Sequence, residues 1–158
     1  MIKFPKYFYL ILIILTCFFL SVDKYVLQSA VDGGLILSGS VNFPENFSNV
    51  TSTYHNGYTV LHYFTLLLLK INFSVDSISI ILTFIIISFY TLGIFYLTLG
   101  ITKSQNLALL LSLYTIIHTN HFGNVDYPVL FYAEHSYGAF SLSAFTFIVG
   151  LLANKNFK

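Results

Sequence analysis

The chain has 158 residues, of which 56% are hydrophobic and only 8% charged. A soluble domain usually carries about 25% charged residues, so this composition cannot cover a water-exposed surface and points to lipid as the solvent for much of the protein. The net charge of +1, with lysine the only strong base and no arginine, argues against a nucleic-acid partner and removes the usual bidentate phosphate clamp.

The first segment, "MIKFPKYFYLILIILTCFFLSV", has a basic start (Lys3, Lys6) and an apolar run from Tyr7 to Val22. No small-x-small cleavage pattern follows, since the next residues are Asp23, Lys24 and Tyr25. The residues before Cys17 (Ile14, Leu15, Thr16) fit a lipoprotein-type processing site poorly, so the segment reads as a retained anchor. Cys17 is the single cysteine. It offers neither a disulfide nor a cysteine metal site and reads as a small core or lipid-facing residue.

A long polar stretch, Asp23–Gly57, comes next. In it Asp32 is followed by Gly33 and Gly34, which permit unusual backbone angles and close approach of a ligand. Asp32 is therefore a candidate general base or metal ligand; the plain alternative is an Asp-Gly turn at a membrane surface. Asn46, Asn49 and Asn72 match the N-glycosylation acceptor pattern, as chance matches in an Asn- and Ser-rich chain also do.

Four more apolar runs follow. Tyr58–Phe73 is of helix length and bears Lys70. Ser77–Leu99 is the clearest spanning helix, long enough for a hydrocarbon core of roughly 30 Å. Asn106–Ile117 and Ala139–Ala153 are short for spans and need thinning or snorkelling at their ends. The lysines choose between topologies, because lysine in short cytoplasmic loops sets orientation and acids count for little. If Tyr58–Phe73 stays outside, Lys3, Lys6, Lys103, Lys155 and Lys158 are all cytoplasmic and every acid (Asp23, Asp32, Glu45, Asp76, Asp126, Glu134) lies outside. The expected fold is thus all-α. It is a polytopic membrane helix bundle of about four transmembrane helices, with an interfacial or re-entrant helix in the first outer loop. The expected setting is a bacterial inner membrane, with membrane lipids as partners and both termini cytoplasmic.

The second outer stretch, "HTNHFGNVDYPVLFYAEHSYG" (His118–Gly138), gathers three of the five histidines with Asp126 and Glu134. His118 and His121 would share a face if the preceding helix continues. His121, Asp126, Glu134 and His135 are candidate substrate-binding residues, and His118, His121 and Asp126 are candidate ligands for a divalent metal ion. Interfacial histidines and tyrosines with apolar bodies and polar tips are the alternative. No P-loop, Gly-rich dinucleotide turn or GxSxG motif occurs.

Three passages resemble the start of a GT-C-type polytopic glycosyltransferase. "VDGGLILSG" follows the first span, where such enzymes place a loop acid. "NGYTVLHYFTLLLLKINFSVDSISIILTF" is similar to their helix-plus-second-span passage, and "LTLGITKSQNLALLLSLYT" to their short cytoplasmic turn into the next span. The text "FGNVDYPVLFYAEHSYGAFSLS" also looks like that of bacterial multi-span proteins of this kind. The resemblance implies transfer of a sugar from a polyprenyl-phosphate donor on the outer face, with Asp32 as the loop acid. The second loop lacks the paired acidic motif that some members use for metal, which puts metal dependence in doubt. Such enzymes have more spans, so the resemblance implies an N-terminal piece of a larger multi-span protein, or a chain needing a partner membrane protein.

The other reading is a non-catalytic membrane subunit or structural protein of an envelope or transport complex. Scarce glycine within the spans (Gly93, Gly150) argues against tight small-residue helix packing. No span holds an ionisable group near its centre, which argues against transport through this chain alone.

Overall fold

The computed structural model describes residues 5–22, 58–118 and 136–156, and all regular structure among them is helical. In chain order the helices are α1 (Lys6–Val22), α2 (Tyr58–Lys70), α3 (Val75–Thr102), α4 (Gln105–His118) and α5 (Ser136–Asn156). The expected all-α class is what the described residues adopt.

Local signals place each helix end. α2 stops in a Schellman turn: Asn72 N–H donates to Leu69 O (3.0 Å) and Phe73 N–H to Leu68 O (3.1 Å), with Asn72 in the left-handed region at φ 63°. Asparagine tolerates that conformation better than most residues, so α2 ends at Lys70 rather than running to Phe73. Ser74 then caps α3, its side-chain oxygen accepting from Ser77 N–H at 3.2 Å. Asp76 in the first turn complements the helix dipole. At the far end Lys103 adopts φ 56° and donates its N–H to Leu99 O (2.9 Å), an αL stop. Ser104 starts α4 at once: its hydroxyl accepts from Leu107 N–H (3.4 Å) and its carbonyl from Ala108 N–H (3.0 Å). These caps extend α3 beyond the apolar run Ser77–Leu99, to 28 residues. At 1.5 Å per residue that is about 42 Å.

α3 is the axis of the bundle, and α1, α4 and α5 pack along it. α1 runs antiparallel to α3, since Phe18 meets Phe84 (ring centroids 6.2 Å apart) and Cys17 meets Thr91 (3.6 Å). Tyr9 lies further down the same direction, donating its phenolic O–H to Asn106 Oδ1 at 2.6 Å. The two-residue connection makes α4 antiparallel to α3. α5 runs parallel to α3: Gly93 faces Thr146 and Phe147, and seven residues later Gly100 faces Ala153 and Asn154.

The interior mixes large apolar side chains, with Phe95, Ile13, Ile78 and Leu82 fully buried, and small polar ones. Buried positions include Cys17, Ser21, Ser79, Thr83, Ser88, Thr91, Ser112 and Ser143 alongside Ile and Leu. Large apolar side chains point outward, among them Phe19 at 69%, Leu110 at 65% and Phe145 at 64% exposure.

Among the described residues one helix, α3, is long and apolar enough to cross a membrane; the apolar parts of α1, α4 and α5 are shorter. The glycine expectation needs correction. A Cβ at Gly93 would lie 2.6–2.7 Å from the Thr146 and Phe147 backbone, one at Gly100 2.9 Å from Ala153, and one at Gly150 would strike the Gly93 carbonyl. Three glycines suffice because they fall at the crossing itself, where the α3 and α5 backbones touch. Scarcity in composition did not mean absence from the contact.

Candidate functional site

The helix directions settle which termini share an end. With α1 and α4 antiparallel to α3 and α5 parallel to it, one end holds the start of α3 with Asp76, the C-termini of α1 (Val22) and α4 (His118), and the start of α5 (Ser136). The other end holds the start of α1 at Lys6, the α3–α4 turn with Lys103, and Lys155 in the last turn of α5. Val22, which precedes 23–57, and His118 and Ser136, which flank 119–135, therefore lie at the Asp76 end.

Most of the sequence-predicted site residues lie outside the described residues: Asp32 in the first stretch, and His121, Asp126, Glu134 and His135 in the second. His118 is the last residue of α4. Among the described residues no three His, Cys, Asp or Glu side chains gather where they could hold a metal ion. Asn72, the one acceptor-pattern asparagine among them, is exposed at the α2–α3 corner.

Inside the bundle the structure adds a polar seam that sequence reasoning missed. The Cys17 thiol donates to Thr91 Oγ1 (3.6 Å), and Thr91 in turn donates to Ile87 O one turn back (2.7 Å). Ser21 donates to Phe18 O (2.7 Å) and Thr83 to Ser79 O (2.8 Å). These hydroxyls are satisfied mostly by their own helices, which is how such groups persist in an apolar interior. The Ser88, Ser143 and Thr65 hydroxyls are buried with no hydrogen-bond partner among the described residues. The signal was present: Tyr9, Ile13, Cys17 and Ser21 recur every fourth residue, the spacing of one helix face. The seam holds no carboxylate, imidazole or ammonium, and its thiol is fully buried. Its described contacts run within α1 and α3 and between them.

Comparison with known proteins finds no family model that matches this chain, no curated protein that matches it and no solved structure that matches it.

Proposed function

We propose that the chain is an integral membrane protein whose two acid-bearing loops form a glycosyl-transfer site on the outer face of the membrane. In this reading α1, α3, α4 and α5 are the four spans, with the short α4 accommodated by local thinning of the bilayer. α2, at 13 residues, is only one residue shorter than α4, so the lysine distribution rather than length keeps it out of the bilayer core in this reading. It lies at the interface, where exposed Leu67, with Ile71 and Phe73 of the turn that follows, meets the acyl boundary and Lys70 reaches the headgroups. The lysine end is cytoplasmic.

The observation that carries the reading is the common root of the two loops. A site assembled from Asp32 on one loop and Asp126, Glu134, His121 and His135 on the other requires both loops to start from the same end of the bundle, and their flanking helices do. The donor is a polyprenyl-phosphate-linked sugar. An acceptor hydroxyl attacks the anomeric carbon, the bond from that carbon to the phosphate oxygen breaks, and polyprenyl phosphate leaves with the bonding pair. Asp32 takes the acceptor proton. His118, His121 and Asp126 are the candidate ligands for a divalent ion that would offset charge on the departing phosphate.

The test is turnover of a polyprenyl-phosphate sugar by the chain in membranes. Asp32→Asn is expected to lower turnover at least about a hundredfold, the usual scale of losing a general base; unchanged turnover removes Asp32 from the role. A chain inactive on every donor, alone and with partner membrane proteins, favours the second reading, a non-catalytic subunit. Its support is the outward apolar face of α5 (Leu142, Phe145, Ile148, Leu152), which further helices could cover.

A further inference from the structure

We draw no further inference here: the strongest candidate, the outward apolar face of α5 formed by Leu142, Phe145, Ile148 and Leu152, carries nothing because nothing in the structure shows what covers it.

Discussion

The two long faces of α3 are closed by opposite means. Toward α5 the side chains are deleted: Gly93, Gly100 and Gly150 let backbone lie on backbone, and Phe147 stacks on Phe89 with ring centroids 5.1 Å apart and planes 7° from parallel. Toward α1 the side chains are kept and made small or weakly polar, with the Cys17–Thr91 contact and the Phe18–Phe84 edge filling the gap. At its three glycines the first face is brittle, because backbone cannot rotate aside. The second can repack, since every contact in it ends in a side chain with another rotamer.

The largest effect that separates the two faces is expected at Gly150. Gly150→Leu drives a side chain into the Gly93 carbonyl and should detach α5 from α3, read as loss of a disulfide cross-link engineered between the two helices. Gly93→Ala is the milder form. Alanine is favoured over glycine in a helix by about 1 kcal/mol, yet the backbone collision should outweigh this and destabilise by about 1–3 kcal/mol, measured by SDS-induced unfolding in mixed micelles. A stabilised Gly93→Ala would show that the face can yield after all. Beside the α1 face, between α1 and α4, Tyr9→Phe loses the 2.6 Å bond to Asn106 at a cost of about 1 kcal/mol. Thr91→Val, which removes the partner of Cys17, should cost about 0.6 kcal/mol, the usual scale for hydrogen bonds between membrane helices. Equal sensitivity of the two faces would break the comparison.

The same contrast explains how much was legible in the sequence. Hydropathy located the core of each described helix, because apolar runs of this length, such as "SISIILTFIIISFYTLGIFYL", fit a buried helix. It misplaced the ends of α3 and α5, which depend on caps: Ser74 and the αL turn at Lys103 lie outside the apolar run. α5 runs Ser136–Asn156, beyond the apolar stretch Ala139–Ala153, because its first and last turns are polar yet helical. The glycine contact was misread because its meaning lies in register, seven residues apart on two helices, and composition carries no register. The α1 seam was readable in its four-residue spacing but looked like an ordinary apolar face with a cysteine in it. Of the candidate site, the sequence supplied residue types and loop membership. The helix directions add the common end from which Asp32's loop and the Asp126–Glu134 loop both start.

That sorting of helix ends is the central claim, and labelling tests it most directly. In a Cys17→Ala background, single cysteines replace Val22, Asp76, Thr102 or Asn154, and sealed right-side-out membranes are treated with a membrane-impermeant maleimide. The account predicts labelling from outside at Val22→Cys and Asp76→Cys, and labelling at Thr102→Cys and Asn154→Cys only after the membrane is opened. Labelling of Asp76→Cys and Thr102→Cys from the same side would contradict it.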